Sequence, residues 1–579
     1  MKSTICITAS LLVAVFAISI PMGAQEAPSE RRYRLIDLGT LGGPNSYLPL
    51  PAPYHDGPLP LASISRGGTF AGFADTNTPD PYAPICFWDC YVAHAIAWRH
   101  GAVKDLGALP YAPGLSSAAT WISNNGLIAG LSENGLVDPL INIPAAVAVL
   151  WDKGKITNLG TLEGGYESQA TAVNSAGQVA GFSTNLVPDP NSLLGTTTQS
   201  RAFVWQHGVM HDLGTLPGGT DAMALFINER GQVVGQSYSA DSIVPPANGT
   251  CVDSPLTLFG FFWDQGHMKN IGTLGGHCTF PYALNNQGQV VGQSSLAGDT
   301  TSHPFLWRPG QKMRDLGALG GNYGFAEWLN DEGMIVGSAT NSGDQALLAF
   351  EWHEETMTNL GALEGNACSA ADAINSTGLV VGGSGFNTAS FPACTDAVEH
   401  AVMWDHGQIV DLNAFVPPGS DITLSEAFFV NDDGEIAGVG TISSGDQHTF
   451  VLLPCRDSDD ECHDAVGYAT YRLGPQITKR PNNPNALDRI FRHGLGPVSR
   501  PEGALDIRDV QITDEAPAKA RSQTLDSAES LDTDLRFRFA KAPACILPGR
   551  PCSLNQSLCC FGRKCVFHGG STRVGYMCE

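Results

Sequence analysis

Short runs of alternating apolar and polar residues, each closed by Gly, Asn or Asp, fill this chain from Tyr33 to Leu453. Between Arg201 and Ser237 four such runs follow one another: R-A-F-V-W, V-M-H-D-L-G, A-M-A-L-F-I-N and Q-V-V-G-Q-S. Alternation of period two bounded by turn formers predicts strands rather than helices. The last two runs are joined by N-x-x-G. A tight hairpin needs a residue at positive φ, which glycine adopts without steric cost, and an asparagine there bonds its own backbone. The same turn recurs at Asn174–Gly177, Asn228–Gly231, Asn285–Gly288, Asn330–Gly333, Asn375–Gly378 and Asn431–Gly434, with weaker copies at Ser65–Gly68 and Ser123–Gly126.

Seven tryptophans hold one place in this pattern: Trp98, Trp151, Trp205, Trp263, Trp307, Trp352 and Trp404. After each comes a short strand ending in D-L-G or N-L-G, whose polar residue is Asp105, Asn158, Asp212, Asn270, Asp315, Asn359 or Asp411; Asp37 is an eighth. One copy carries Ile271 and the last carries Asn413 in place of Gly. Trp-to-Trp spacings of 53, 54, 58, 44, 45 and 52 put the basic unit near 44 residues, with the excess between its second and third strands. Four strands repeating at this period indicate a β-propeller, in which each small sheet hides two apolar faces against its neighbours. A solenoid is the competing arrangement, but it needs caps. Here the array opens with a lone fourth strand at Tyr33–Gly39 and finishes with a lone third strand at His448–Pro454. Pairing them leaves no long free edge. The expected fold class is all-β: an eight-bladed β-propeller closed by the N-terminal strand, plus a small disulfide-rich cystine-knot domain. The repeat alone leaves seven against eight blades open.

The segments H-A-I-A-W (94–98), R-A-F-V-W (201–205), H-P-F-L-W (303–307) and H-A-V-M-W (400–404), with the D-L-G-T-L-G-G and I-N-x-x-G-Q-V-V-G segments, resemble the HAF family of extracellular bacterial repeat proteins. The resemblance spans residues 33–454 and implies a secreted or surface location and no established activity. Family members can carry an autotransporter or a sorting tail; neither is seen here, so release is expected.

Composition narrows the functional classes. With 66 Gly, 37 Pro and 15% charged residues, the chain suits tight turns better than helical bundles. A net charge of −25 disfavours nucleic acid and anionic membranes as partners; the plain meaning of the charge is solubility. Residues 1–24 read as a secretory signal peptide, with Lys2, an apolar core from Ile5 to Ile20 and small residues before Gln25. Residues 25–32 form a linker. No other run is long enough to span a membrane, and a monomer is expected.

Of the 15 cysteines, Cys6 lies in the signal, leaving an even 14, which in an exported protein favours disulfides over metal sites. Proximity pairs Cys86 with Cys90, Cys251 with Cys278, Cys368 with Cys394, and Cys455 with Cys462. The insertions 73–94, 132–145, 183–201, 237–259 and 384–400 should all leave one face of the scaffold, which is where binding usually lives. Deleting 237–259 is then expected to spare the fold and abolish capture. Trp88, in a loop, is the candidate for ligand contact, whereas the seven repeated tryptophans read as core. The Asp/Asn positions read as caps of their own turns, because Asn replaces Asp freely where a cation would want charge. The histidines His94, His303, His400 and His448 read as structural. No G-x-S-x-G, H-E-x-x-H or P-loop is present, nor the S-x-D-x-G-x-T-W box of sialidase-type propellers. No cofactor or metal is implied.

Residues 455–541 turn polar, acidic and aperiodic and read as a largely disordered linker. Residues 542–579 have the spacing C-x6-C-x6-C-C-x4-C-x12-C, too small a core to stand without covalent staples. Six cysteines allow 15 pairings, which spacing alone does not choose between. The pattern resembles the knottin scaffold, with a hevein-like module as the alternative; the knottin resemblance implies Cys545–Cys560, Cys552–Cys565 and Cys559–Cys578. The segment is basic, and Arg563 and Lys564 are candidate binding residues. The leading functional expectation is a secreted, non-enzymatic protein that binds an extracellular polysaccharide or protein. The alternatives are a carbohydrate-active hydrolase or lyase, and a knottin inhibitor or toxin carried by a propeller.

Overall fold

The computed structural model describes residues 32–48, 64–83, 86–87, 89–99, 101–140, 142–194, 197–245, 251, 255–385 and 398–455, and three C-terminal strands. The signal, the 456–541 segment, Trp88, Arg563, Lys564, Cys394 and Cys462 lie outside the described residues, as do Cys545, Cys559 and Cys560.

The architecture is all-β and antiparallel. Six four-stranded sheets and one eight-stranded sheet make up the repeat region. The eight-stranded sheet is two four-strand arrays joined through one parallel bridge, Ser302 to Tyr323. Each array is named below by its N-x-x-G turn residue. The Asn228 sheet, for example, runs Ala222–Ile227, Val233–Ser237, Phe259–Asp264 and His267–Asn270 in spatial order. The Asn431 sheet departs from this order. Its fourth place is taken by Tyr33–Asp37, which lies antiparallel to Gln447–Pro454 with Leu35 opposite Leu452 and Asp37 opposite Phe450. The amide of Cys455 donates to the carbonyl of Arg32, extending this pairing by a residue. At the C terminus, Pro551–Cys552, Arg573–Cys578 and Cys565–Gly570 form a three-stranded sheet in which Cys565 faces Cys578.

Sequence dictates this local order closely. In the Asn228 turn, Oδ1 accepts the amides of Arg230 and Gln232, both at 3.0 Å. The first strand bulges between Ala224 and Phe226. There the second strand presses so close that a Cβ on Gly235 would lie 1.9 Å from the carbonyl oxygen of Met223, which is why V-V is followed by glycine. The ten-residue second strands Phe70–Pro79, Ile128–Val137 and Val179–Pro188 correct one expectation: the insertions begin as strand. Their register slips after the sixth residue, letting the pair of strands continue outward past the sheet.

The turn asparagines also tie neighbouring sheets together. Nδ2 of Asn174 donates to the carbonyl of Asn228, Asn228 to Asn285, Asn285 to Asn330, Asn330 to Asn375, Asn375 to Asn431, and Asn431 to Ser65, all within 2.9–3.1 Å. Two positions before each turn residue the side chains alternate in size: Trp121, Ala172, Phe226, Ala283, Trp328, Ala373 and Phe429. The four aromatics meet across the alanines, mostly edge to face. The Trp121 and Trp328 rings lie 6.2 Å apart, Trp121 and Phe226 5.6 Å, and Trp328 and Phe429 5.8 Å. Trp121 and Trp328, which stand outside the repeated tryptophan place, therefore form an inner aromatic layer with Phe226 and Phe429. Of the repeated ones, Trp98, Trp151, Trp307, Trp352 and Trp404 are buried and Trp205 and Trp263 are half-buried.

Candidate interaction face

Each sheet has two ends. The N-x-x-G turns and the turns after the repeated tryptophans occupy one. The insertions and the D-L-G segments occupy the other, here called the loop face. In all eight copies the Asp or Asn accepts the backbone amide two residues on, at 2.7–2.8 Å. That self-capping is what the tripeptide encodes. The choice between Asp and Asn, however, is not free. Asp37, Asp105, Asp315 and Asp411 each pair with a histidine, His448, His94, His303 and His400, at 2.7–3.0 Å, and Asp212 pairs with Arg201 at 3.2 Å. Where the matching place on the third strand is apolar, at Val147, Phe259 and Leu348, the capping residue is Asn. A capping carboxylate appears only where a histidine or arginine is there to meet it.

The insertions are organised around buried carboxylates. Asp80, Asp138 and Asp189, each followed by Pro, take the amide two residues on at 2.7–2.8 Å and so turn the chain back. Asp189 lies against Asp221, at the start of the next sheet. Asp221 is fully buried, and its Oδ1 accepts from the amides of Leu193 and Ser200 and the hydroxyl of Ser200. Burial, then the neighbouring Asp189 carboxylate, pushes Asp221 up to about 7. Burial and Asp138 raise Glu167 to about 8, and burial with Asp80 raises Glu133 to about 7. The insertion of one sheet is thus seated on the next by carboxyl groups that are not all ionised at neutral pH.

Disulfides join Cys86 to Cys90 and Cys251 to Cys278. Cys368 and Cys455 are also disulfide-bonded; the partners proposed for them lie outside the described residues. The 237–259 segment is not an excisable loop. It buries Tyr238, Cys251 and Leu258 in the same core as Phe262 and Tyr282, so its deletion would open a cavity rather than spare the fold.

The loop face exposes apolar side chains among its polar ones. Among the described residues ten large hydrophobic side chains are exposed, and eight are here: Tyr111, Leu136, Val137, Leu140, Leu186, Val187, Ile243 and Val244. They fall on three successive sheets, and each insertion repeats an aliphatic pair: Leu136-Val137, Leu186-Val187, Ile243-Val244. Tyr111 lies beside the Gly135–Leu136 backbone, 3.9 Å from where a Cβ on Gly135 would sit. Sequence reading placed binding on these loops but missed the aliphatic pairs; their recurrence just before each Asp-Pro or Pro-Pro turn was the available signal. The other element it missed is a group of three carboxylates, Glu327, Asp372 and Glu426, on the first strands of consecutive sheets.

No family model matches this chain, and no curated protein matches it. Solved structures resemble it weakly. An acylaminoacyl peptidase of Pyrococcus horikoshii is 11% identical with a TM-score of 0.33, over 61% of this chain and 53% of that one. Dipeptidyl peptidase 4 of Porphyromonas gingivalis is 9% identical with a TM-score of 0.38, over 72% and 61%. A polysaccharide lyase, an ulvan lyase, is 11% identical with a TM-score of 0.33, over 74% and 100%. The chain spans between half and two thirds of the length of the peptidases it matches. Among the described residues no helix is long and apolar enough to cross a membrane.

Proposed function

We propose that this is a secreted, non-enzymatic interaction protein, an eight-bladed propeller that takes a partner protein on its loop face across the Ser123, Asn174 and Asn228 sheets. The chain of asparagine hydrogen bonds that runs from Asn174 to Asn431 and on to Ser65 supports the closed arrangement, as does the pairing of Tyr33–Asp37 with Gln447–Pro454. The observation that carries the functional reading is the recurrence of exposed aliphatic pairs at one end of the scaffold, where eight of the ten exposed large hydrophobics among the described residues fall. Apolar patches of this kind mark association sites. Aliphatic side chains suit the apolar centre of a protein interface, whereas sugars are taken up on aromatic platforms, and Tyr111 is the one exposed aromatic among these eight residues.

The test is a triple substitution, Leu136→Ser, Leu186→Ser and Val244→Ser, all at exposed positions and so expected to leave folding intact. Immobilised wild-type and variant proteins are compared for binding to purified extracellular proteins and to a glycan array. The reading requires a protein ligand whose affinity falls by about tenfold or more in the variant. Glycan binding that survives the triple substitution, or release of reducing sugar, would replace it with the carbohydrate-active reading.

A further inference from the structure

Three carboxylates lie together beside the inner aromatic layer, without a partner among the described residues. Glu327, Asp372 and Glu426 belong to the first strands of the consecutive Asn330, Asn375 and Asn431 sheets. Glu327 is 7% exposed, and Asp372 and Glu426 keep only a partial opening to water. Among the described residues none of the three accepts a hydrogen bond or meets a cation, and Oδ2 of Asp372 is wholly enclosed with no donor. They do feel one another. Burial and then Glu426 raise Glu327 to about 8; burial, Glu426 and Glu327 hold Asp372 well above the carboxylate range; burial raises Glu426 to about 7.

The repeat supplies its own comparison. Glu327 and Asp372 sit three positions before their turn residue. In other sheets that place holds Thr120, Thr171 and Tyr282, and each is satisfied. The threonine hydroxyls donate to carbonyls of the next sheet, Ala170 and Ala224, at 2.7 and 3.0 Å, and the tyrosine donates to Gln293 at 3.1 Å. Polar groups at this depth are normally matched. Two unmatched acids in adjacent repeats, joined by a third from the next, form a site suited to a ligand.

Position tells which side the site opens to. Glu426 lies five positions before its turn, Glu327 and Asp372 three, and the aromatics Trp328 and Phe429 two. First strands run from the loop face towards the turns, so the carboxylates stand on the loop side of the aromatic layer, which floors the well. Carboxylates gathered above an aromatic floor suit a cation. No group of three or more His, Cys, Asp or Glu among the described residues converges closely enough to hold a metal ion, which favours a ligand whose donors are spread over several atoms. We propose that this axial acid well binds a small organic cation, an amine or guanidinium compound, entering from the loop face.

The experiment uses the full chain with spermidine, agmatine and calcium chloride, read by calorimetric titration and by thermal melting, on wild type and on the single variants Glu327→Gln and Asp372→Asn. Spermidine or agmatine is expected to raise the melting temperature of the wild type, and each variant to weaken that binding by about tenfold or more. Without ligand, both variants are expected to melt at or above the wild-type temperature, because each removes like-charge repulsion. The proposal is overturned if no cation shifts the melting temperature, if both variants bind as well as wild type, or if calcium matches the organic cations. It also fails if both unliganded variants melt below wild type, which would make the carboxylates structural.

Discussion

Asn228 does two jobs, and substitution separates them. Its Oδ1 holds the amides of Arg230 and Gln232, and its Nδ2 reaches the carbonyl of Asn285 in the next sheet at 3.0 Å, all within a residue 6% exposed. Ser123, at the same place in its own sheet, shows what a serine retains: its hydroxyl accepts the amide of Leu127 at 3.0 Å but does not cross to the neighbour. That crossing is made by Asn125, which donates to the carbonyl of Ser175 at 2.8 Å. Asn228→Ser therefore keeps the Gln232 turn bond and loses the crossing bond to the Asn285 carbonyl, which still holds the Gly288 amide, a loss of about 1–2 kcal/mol. Asn228→Ala also strips both turn amides of their acceptor and should cost about 3–5 kcal/mol. An unfolding entropy of about 2 cal/mol/K per residue, summed over the repeat region, turns each kcal/mol into only about 1 °C of melting shift. The better assay is urea denaturation followed by tryptophan fluorescence, read as midpoint at unchanged slope. If Asn228→Ala were no worse than Asn228→Ser, or both fell within about 0.5 kcal/mol of wild type, the division of labour argued here would be wrong.

Two further predictions concern the cation–carboxylate pairs at the loop face. Burial works against the ionised Asp37, but the His448 hydrogen bond, the Gly39 amide and the His448 charge outweigh it and lower its pKa; the Asp37 hydrogen bond leads the causes that raise His448, against burial. The Asp37 contribution exists above its unfolded value near 4 and is lost as pH falls through its lowered value. The His448 contribution is full below about 6.5 and is lost as pH rises through its raised value. The N-terminal strand should therefore be held most firmly between about pH 4 and 6.5. Amide exchange at Leu35 and Ile36, corrected for intrinsic rate, should be better protected at pH 5.5 than at 8.5, a difference that His448→Gln should erase. In the Ser65 sheet, Asp105→Asn alone should cost about 0.5–1 kcal/mol, whereas His94→Val with Asp105→Asn should recover most of the loss; denaturation midpoints of the four proteins in the cycle would show no coupling if the pairs were incidental.

Much of the fold could be read from spacing. N-x-x-G marked the turn because one residue supplies positive φ and another its acceptor, and the unmatched strands at Leu35 and Phe450 named their own partners. What escaped was whatever depends on two places at once. Asp105 and Asn158 look interchangeable one at a time and become intelligible only beside His94 and Val147. Trp121 and Trp328 stand outside the repeated tryptophan place because their partners are each other, across the inner layer. Glu327 and Asp372 vanish when copies are averaged, since most copies carry something else there, and their isolation is visible only in three dimensions. The insertions were read as loops because their outer halves lose strict alternation once the register slips.

The pair that fastens this molecule has a consequence for its biogenesis. Asp37 and His448 are 411 positions apart, so the first strand to be synthesised must wait, unpartnered, until almost every other repeat has been made. One edge stays raw while the other is still to come, and the slow, long-range pairing happens last. Until then both edges are open to foreign strands. The yield of functional protein should depend less on how fast individual hairpins form than on how long the two extremities can be kept from meeting anything else.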